Sequence, residues 1–490
     1  MKKLHISMIN LWCNKNLVDS QLFLWKLLSE NPDKVEYFSD PYDSFVEIVI
    51  LNTCSFISSG REEMFQTVEN LISHGKKVCL IGCGVQYFEK LVRRMSSFKK
   101  GGGFNEVEDG GFLSINDKKS PVTSWQHLSI KGHNFQLQQE LQQREKMLKN
   151  PNISYLSRND LNLVNLEKLT SRSQTFDDFC RYDAPRLLTN YENRYEYLKI
   201  AEWCNNSCAF CIIPKIRWKL TSLPIQSVIS QAEDLLKQWI EELIIVAQDT
   251  MRYGTDFSSS SQLLPLLHQL DKLPYDFKYR ILYLYPDILT LKQLEEFATL
   301  EKFIPYFDIP FQHISPKLLK SMGRFYDDKM IHTLLKSIRS LFPDSFIRTN
   351  IIIWFPWETD EDMKLLQSFL DEDYFDNIAL FEYHDEPLAL SSTLENKVPD
   401  SLIHSRFKTI RWQVDKLLKA REKKRKWKNQ IGFVEWIREE NGQIYLSIRP
   451  EIHCPEIDPV DDVVLEDVIQ SFYSEEIEIG SRVEYKKRKH

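Results

Sequence analysis

The chain has 490 residues, a formal net charge of -7 at pH 7, 42% hydrophobic residues and 27% charged residues. These values are ordinary for a soluble globular protein of two to four domains, and the negative charge argues against a chain that binds nucleic acid over its whole surface. No stretch of the sequence approaches the ~18 apolar residues of a membrane span, so we expect no membrane association.

The nine cysteines are an odd number and fall unevenly along the chain. This pattern argues against the disulfide framework of a secreted protein and favours metal-binding or catalytic thiols in a reducing compartment. We therefore expect a cytoplasmic protein.

Residues 1–145 are predicted to form an N-terminal open α/β domain. A first strand is predicted over residues 4–9, and the apolar runs 46–51 and 78–81 are rich in β-branched residues, as buried parallel strands are. Each of these three strands runs into a turn that carries a cysteine, namely Cys13, Cys54 and Cys83. Because strand C-termini line the ligand crevice of an open α/β sheet, we expect the three thiols to share that edge.

Residues 146–190 are rich in Ser, Asn and Lys and predict a linker. Residues 191–420 alternate strand-like runs with leucine-rich amphipathic segments, which predicts βα units in a partial (β/α) barrel with its chemistry at the strand C-termini. The clearest predicted strands cover residues 197–200, 243–247, 279–284, 306–309 and 347–353.

Residues 425–490 change to short strands and turns, such as Glu440-Asn441-Gly442, and predict a small antiparallel β-barrel. The basic run Lys423-Lys424-Arg425-Lys426 precedes it. This run is either a local contact patch or, as we favour, a solvated helix end.

The most specific motif is Cys204-Asn-Asn-Ser-Cys208-Ala-Phe-Cys211. Three thiolates on one short loop can hold three irons of a cubane cluster and leave the fourth iron open to a ligand. A structural zinc site usually takes four protein ligands, and the sequence near this loop offers no fourth Cys or His. The spacing therefore favours an iron–sulfur cluster over zinc or buried structural thiols.

This triplet resembles the cluster motif of the radical-SAM superfamily. The resemblance implies a 4Fe–4S cluster whose open iron is chelated by S-adenosylmethionine, and whose electron releases a 5′-deoxyadenosyl radical. Gln248, Asp249 and Arg252 end a predicted barrel strand and are candidates for contacts to adenosylmethionine, although ordinary loop roles fit them equally well. In such enzymes the protein positions the cofactors and excludes water from the radical.

The N-terminal cysteines extend the resemblance to the methylthiotransferases. Cys13 in Cys-Asn-Lys-Asn-Leu-Val-Asp-Ser, Cys54 in Asn-Thr-Cys-Ser-Phe-Ile and Cys83 in Ile-Gly-Cys look like the three ligands of that family's second 4Fe–4S cluster. The family implies a sulfur-inserting transferase in which this second cluster presents sulfur and a second adenosylmethionine supplies the methyl group. Three cysteines lie outside these motifs and are interpreted as structural: Cys79, Cys180 and Cys454.

Over nearly its full length the sequence resembles the ribosomal-protein-modifying (RimO-type) branch of that family. The stretches that match are Cys211-Ile-Ile-Pro214 with Arg217, Val246-Ala-Gln-Asp-Thr250 with Arg252-Tyr253-Gly254, Ile281 to Asp287, Asp308 to Ser315, and a tail segment at Cys454 to Asp458 that resembles the TRAM barrel. The branch implies methylthiolation of the β-carbon of an aspartate on a small-subunit ribosomal protein near the decoding centre. It also implies an electron donor such as a flavodoxin or ferredoxin, and we expect a monomer.

The alternative is the tRNA-modifying (MiaB-type) branch, which acts on a modified adenosine. Acidic residues in the tail favour a basic protein substrate over RNA, because RNA affinity comes mostly from phosphate contacts with basic groups. Those residues are Glu451, Glu456, Asp458, Asp461, Asp462, Glu466 and Asp467. They are alternatively an unremarkable solvated surface.

Tryptophan stands where the resembling family has glycine at seven positions: Trp12, Trp25, Trp203, Trp218, Trp239, Trp354 and Trp357. Glycine suits turns in which the backbone takes a positive φ or approaches a ligand closely. We hypothesise that the source organism reads UGA as glycine and that this sequence was translated with UGA as Trp. The alternative is a divergent or decayed enzyme with real tryptophans. Leu223, where the family tends to have Arg, is a second departure and removes one polar contact.

Overall fold

The structure is a computed structural model that describes residues 3–11, 13–55, 57–88, 142–143, 146–147, 149–155, 185–189, 194–216, 219–398, 400–425, 429–472 and 476–486. The chain divides into two compact units. Unit 1 comprises residues 1–189, 210–218 and 384–392, and unit 2 comprises residues 190–209, 219–383 and 393–490. Within the described ranges, no helix has the length and apolar character needed to cross a membrane.

Unit 1 is built on a parallel sheet of five strands in the order β2-β1-β3-β4-β5. Its elements are β1 (Leu4–Asn10), α1 (Asn14–Glu30), β2 (Val35–Tyr37), β3 (Ile48–Thr53), α2 (Ser58–Ser73), β4 (Lys77–Gly82) and β5 (Ile153–Tyr155). The predicted strands are present, with bounds that differ by a residue or two from their apolar runs. Strand β5 lies inside the segment predicted to be a linker.

Both faces of this sheet are buried. In β3, Val49 and Leu51 belong to one hydrophobic cluster, whereas Ile48 and Ile50 belong to another. Successive side chains of a strand point to opposite faces, so the two clusters lie on the two sides of the sheet. This explains why the strand is a continuous apolar run and does not alternate with polar residues.

Unit 2 contains a parallel sheet of six strands in the order β13-β12-β11-β10-β9-β6. The strands are β6 (Tyr195–Lys199), β9 (Glu242–Val246), β10 (Lys278–Ile281), β11 (Phe303–Asp308), β12 (Phe346–Ile353) and β13 (Asn377–Glu382). A short antiparallel pair, β7 (Ala201–Glu202) with β8 (Thr221–Ser222), follows β6. From β9 to β13 each strand lies beside the next in the chain, as in the predicted barrel of βα units.

Helices connect these strands, as the alternating pattern predicted. Among the described residues, the helices that follow α2 and the helical residues 83–88 include, in chain order, α3 (Ile213–Ile216, in unit 1), α4 (Ile225–Leu236), α5 (Leu263–Asp271), α6 (Leu291–Phe297), α7 (Pro316–Ser321), α8 (Asp328–Leu341), α9 (Asp360–Leu370) and α10 (Asp400–Arg425). Helix α8 buries Ile331, Leu334, Leu335 and Ile338, an apolar stripe at helical spacing. Its start is fixed by Asp327, whose side chain accepts a hydrogen bond from the Met330 amide.

The C-terminal part of unit 2 is an antiparallel sheet in the order β16-β15-β14-β18-β17. Its strands are β14 (Gln430–Glu440), β15 (Gln443–Pro450), β16 (Asp461–Val464), β17 (Val468–Ser471) and β18 (Arg482–Tyr485). The predicted turn joins β14 to β15, where Asn441 and Gly442 both have positive φ, the geometry of a two-residue hairpin. The chain is thus an α/β protein with two parallel sheets and an antiparallel C-terminal sheet.

Candidate functional site

Three cysteines of unit 1 follow the C-terminal ends of three adjacent strands. Cys13 caps the start of α1 after β1, Cys54 comes directly after β3, and Cys83 begins the helical residues 83–88 after β4. Because β1, β3 and β4 are parallel neighbours, their ends meet at one edge of the sheet. The sequence prediction that these cysteines share an edge is consistent with this topology.

A polar network joins the strand ends next to these cysteines. Asn52 at the end of β3 donates to the Asn16 carbonyl at 2.9 Å, and Asn16 in turn donates to the Thr53 carbonyl at 3.1 Å. The Thr53 hydroxyl accepts from the Gly84 amide at 3.0 Å. Gly82 has φ +87°, and a Cβ there would lie 2.2 Å from the Asn52 side-chain oxygen. The three cysteine-bearing turns are therefore connected through buried side chains.

In unit 2, the loop that follows Trp203 is tied to the end of β9. Asn206 donates to the Asp249 carboxylate at 2.7 Å and accepts from Arg252 Nε at 3.0 Å. Arg252 also donates from Nη2 to Asp287 at 2.5 Å. Asp249 and Arg252 thus position the loop that carries Cys204 and Cys208.

The same loop packs against residues 322–324. The Ala209 amide donates to the Met322 carbonyl at 2.9 Å. The Tyr285 hydroxyl lies 3.8 Å from Cys208 Sγ, with the Arg324 guanidinium 4.4 Å from the centre of the tyrosine ring. Gly323 has φ +73°, and a Cβ on it would lie 2.6 Å from the Ser207 carbonyl oxygen. Only a residue without a side chain allows this approach.

A largely polar cavity of about 270 Å³ opens beside this loop. It is lined by Asn205, Asn206, Ser207, Arg252, Thr255, Tyr285, Gly323 and Phe325. Of the three residues predicted to contact adenosylmethionine, Arg252 lines the cavity, whereas Gln248 and Asp249 do not. Gln248 Oε1 and Asp249 Oδ1 are buried and accept no hydrogen bond from the described residues.

Burial sets the ionisation of these groups. Burial raises the pKa of the Cys204 thiol to about 11. The Asn206 amide lowers this pKa and the Asp249 carboxylate raises it, but both effects are smaller than that of burial. Burial also raises the pKa of Asp249 to about 6, although Asn206 and Arg252 act in the opposite direction. A metal that binds the Cys204 thiol must therefore displace a proton.

Among the described residues, no three His, Cys, Asp or Glu side chains converge closely enough to hold a metal ion. The donor chemistry nonetheless suits iron–sulfur clusters, because the six motif cysteines carry thiols, partly or wholly buried, in two sets of three. Cys79 and Cys454 are fully buried, and burial raises the pKa of Cys79 to about 12, as expected of inert structural thiols. Cys180 lies outside the described residues.

Sequence reasoning missed several residues that build the site. Tyr285, Asp287 and Arg324 contact the loop or its supports, but they lie about 80 to 120 residues away in sequence, so no spacing rule connects them to it. Among the described residues, the stretch from Ile281 to Asp287 was the one sequence feature that pointed to them. It resembled the RimO-type branch, but the sequence assigned no function to its residues. Leu223, the second departure from the family, is buried, so its side chain packs in the interior. Its amide donates to the Ile200 carbonyl, and its carbonyl accepts from the Tyr253 hydroxyl.

Two family models match the chain: the Radical SAM superfamily over residues 198–370 and the uncharacterized protein family UPF0004 over residues 5–99. Among solved structures, the radical S-adenosylmethionine methyltransferase TsrM from Kitasatospora setae aligns with a TM-score of 0.44 at 12% identity, covering 77% of this chain and 75% of that one.

The curated relatives are more similar. The ribosomal protein uS12 methylthiotransferase RimO of a Nitratiruptor species is 30% identical over 467 residues, covering 93% of this chain and 91% of that protein. RimO of Aquifex aeolicus is 31% identical over 395 residues, covering 80% of this chain and 76% of that protein. This chain belongs to the RimO family of radical-SAM methylthiotransferases.

Proposed function

We propose that this enzyme methylthiolates the β-carbon of an aspartate on a small-subunit ribosomal protein near the decoding centre. The observation that carries the proposal is the extent of the similarity: a RimO relative at 30% identity matches 93% of this chain. The names of these relatives give ribosomal protein uS12 as their substrate. None of the relatives named above is a tRNA-modifying enzyme.

We propose that the six motif cysteines hold two 4Fe–4S clusters and that S-adenosylmethionine binds at one of them. Cys204, Cys208 and Cys211 would hold one cluster, because three thiols on one loop leave one iron open to a ligand. The second triplet, Cys13, Cys54 and Cys83, would hold the other. When bound, these groups supply the radical that removes a hydrogen atom, the inserted sulfur and the methyl group.

The chain's own side chains prepare the adenosylmethionine site. Asp249 acts on the site through Asn206, which lines the cavity and donates to the Asp249 carboxylate. Arg252 lines the cavity and bonds Asn206, so it holds the loop of Cys204 and Cys208 in one conformation. The hydrogen bonds of Asn206 and Arg252 fix the cavity wall beside the cysteine loop.

The acidic residues of the C-terminal sheet give less support for a protein substrate than their number suggested. Asp458, Asp461 and Asp467 are buried, and Glu451 pairs with Arg482 at 2.9 Å. The exposed acids of the set are also partly engaged: Glu456 accepts from Tyr195 and Tyr197, and Asp462 pairs with Arg438. Most of these charges stabilise the fold, so the ribosomal substrate rests on the relatives.

We further propose that the enzyme is a cytoplasmic monomer that takes electrons from a flavodoxin or a ferredoxin. A low-potential donor of this kind suits a cluster that must pass a single electron to its ligand. The test for the donor is reduction of the reconstituted enzyme by each protein, followed by measurement of adenosylmethionine cleavage.

Mass spectrometry of ribosomal proteins and tRNA from a deletion strain tests the substrate. We expect uS12 to lose the mass of one methylthio group on an aspartate, with tRNA unchanged. Restoring the gene should restore the modification, whereas a gene with Cys204→Ala, Cys208→Ala and Cys211→Ala should not. Loss of a methylthio-adenosine from tRNA with intact uS12 would instead support the tRNA-modifying activity.

Iron analysis tests the cofactors. After anaerobic reconstitution we expect about eight irons per chain, and about four when either cysteine triplet is replaced by alanine. Cys79→Ala is the matched control, because Cys79 is buried in the sheet core and lies outside both triplets. This control should retain about eight irons, and tightly bound zinc without iron would contradict the assignment.

A further inference from the structure

Four tryptophans have a backbone conformation that favours glycine. Trp203, Trp239, Trp354 and Trp357 have φ values of 68°, 67°, 67° and 71°. For a bulky side chain a positive φ is an outlier, because Cβ then approaches the neighbouring carbonyl oxygen. Glycine has no Cβ and adopts this region freely.

The remaining tryptophans that the structure describes behave differently. Trp25 lies within α1, Trp412 within α10 and Trp436 within β14, and none of them has a positive φ. Among the described tryptophans, the left-handed conformation is therefore confined to these four positions; six other non-glycine residues, Tyr283 among them, also have a positive φ. Trp12 and Trp218 lie outside the described residues, and for Trp25 the backbone gives no reason to expect glycine.

Packing does not offset the strain at Trp239. This residue follows α4 by three positions, where helices commonly end on a left-handed glycine. Its side chain is 80% exposed, so the indole gains little from burial. A large apolar side chain that is both strained and exposed contributes nothing to the fold that glycine would lack.

At Trp354 the side chain is buried, but its polar atom is not satisfied. The indole is 1% exposed, and its Nε1 has no hydrogen-bond partner among the described residues. Buried indole N–H groups usually find an acceptor. The backbone is well used, because the Trp354 amide donates to Glu358 Oε2 at 2.7 Å. The turn therefore uses the main chain at this position, whereas the indole packs beside Phe407 without a hydrogen bond to a described residue.

Trp357 and Trp203 complete the pattern. The Trp357 amide donates to the Asn396 carbonyl at 3.0 Å, so this second left-handed residue is also held by its main chain. Trp203 directly precedes Cys204, where the chain leaves β7 and enters the cysteine loop. The composition agrees: the chain has 15 glycines, about 3% against a usual ~7%, and 11 tryptophans.

We propose that residues 203, 239, 354 and 357 are glycine in the protein that the source cell makes, because its UGA codons are translated as glycine. The proposal goes beyond the enzymatic function and does not depend on it, since it rests on backbone conformation. Of the seven tryptophan positions identified from the sequence, the proposal keeps the four at which φ is positive.

The direct test reads the gene and the native protein. We expect UGA at all four positions, and tandem mass spectrometry of peptides from the source organism should give glycine at each. UGG codons, or native peptides with tryptophan at residues 203, 239 and 354, would overturn the proposal. Neither measurement involves catalysis, so a failed activity assay for the proposed function leaves this result unaffected.

A second test compares purified full-length chains. The variant with Trp203→Gly, Trp239→Gly, Trp354→Gly and Trp357→Gly should give more soluble protein and a higher unfolding midpoint than the tryptophan chain. Trp239→Gly alone should raise the midpoint, because removing an exposed indole leaves no cavity. The matched control is Trp412→Gly, an exposed position inside α10, which should lower the midpoint because glycine weakens a helix interior. A midpoint that Trp239→Gly lowers, or that it shifts by the same amount as Trp412→Gly, would contradict the proposal.

Discussion

The side-chain amide of Asn206 bonds both Asp249 and Arg252, donating to the first at 2.7 Å and accepting from the second at 3.0 Å. Asn206 of the cysteine loop therefore bonds an acidic and a basic side chain, Asp249 and Arg252, which both follow β9. We expect Asn206→Asp to place a second carboxylate beside Asp249 and to weaken adenosylmethionine binding by roughly 10–100-fold, as changes in residues that orient metal ligands usually do. Equilibrium binding to the anaerobically reconstituted enzyme measures this change.

The control for that experiment is Asn429→Asp, which changes an exposed asparagine that bonds Glu484 on the C-terminal sheet. Its affinity for adenosylmethionine should match that of the unmodified enzyme. Unchanged affinity in Asn206→Asp would mean that the network does not position the ligand site.

Substitutions of Gly323 and Gly442 should distinguish the cost of a steric contact from the cost of backbone strain. Both have positive φ, but a Cβ at Gly323 would lie 2.6 Å from the Ser207 carbonyl oxygen, whereas a Cβ at Gly442 meets nothing within 4 Å. We expect Gly442→Ala to cost about 1–2 kcal/mol of unfolding free energy from strain alone. Gly323→Ala should cost about 1–3 kcal/mol more and reduce iron content, because the cysteine loop must move. Urea unfolding and iron analysis give both values, and equal losses in the two variants would rule out the close contact.

A buried carboxylate connects the parallel sheet of unit 2 to its C-terminal sheet. Glu242 lies 2.5 Å from Arg280 Nε and 2.9 Å from Arg449 Nη1, and all three side chains are about 1% exposed or less. Glu242→Gln should lower the unfolding free energy by about 3–5 kcal/mol, because two buried cations lose their shared partner. Asp415→Asn, which breaks the exposed pair with Arg411, should change it by less than ~0.5 kcal/mol. A small loss for Glu242→Gln would show that the hydrogen bonds of the arginines to carbonyl groups suffice.

Glu358 should make stability depend on pH. Burial raises its pKa to about 8 from an ordinary value near 4.5, although the Trp354 amide and Arg406 lower it. Between those two values the folded state binds more protons than the unfolded state, so the unfolding free energy should fall as pH rises from about 4.5 to about 8. Glu358→Gln should flatten this slope and stabilise the protein at pH 8, whereas the exposed Glu62→Gln should leave it unchanged. Urea unfolding at several pH values decides, and a parallel slope for Glu358→Gln would contradict the assignment.

The sheets were predictable because their strands are uniformly apolar. The run at residues 46–51 predicted β3, which occupies Ile48–Thr53, because a strand covered on both faces needs apolar side chains at every position. The cysteine positions were predictable for a related reason, since turns at strand C-termini are identified once the strands are. Four tryptophan turns were also found, because the positions of family glycines coincide with positive φ.

Contacts between distant segments were not predictable in the same way. Nothing in the spacing of residues 207 and 323 indicates that a carbonyl and a glycine meet there, because that contact depends on how two loops fold back onto the sheet. The acids of the C-terminal sheet illustrate the same limit. Asp461 was expected at the surface, yet it is buried and accepts from the Tyr485 hydroxyl at 2.8 Å. The charge of a residue can be read from its identity, but the partner that neutralises it cannot.

The cavity beside the cysteine loop has a consequence for the life of the protein in the cell. A ligand bound in this cavity contacts Asn206 and Ser207 of the cysteine loop and holds the loop in its folded position. Binding to the native state alone also raises stability by mass action. The lifetime of the enzyme should therefore follow the supply of adenosylmethionine: when the methyl donor is scarce, the empty protein opens more often and is degraded sooner by proteases.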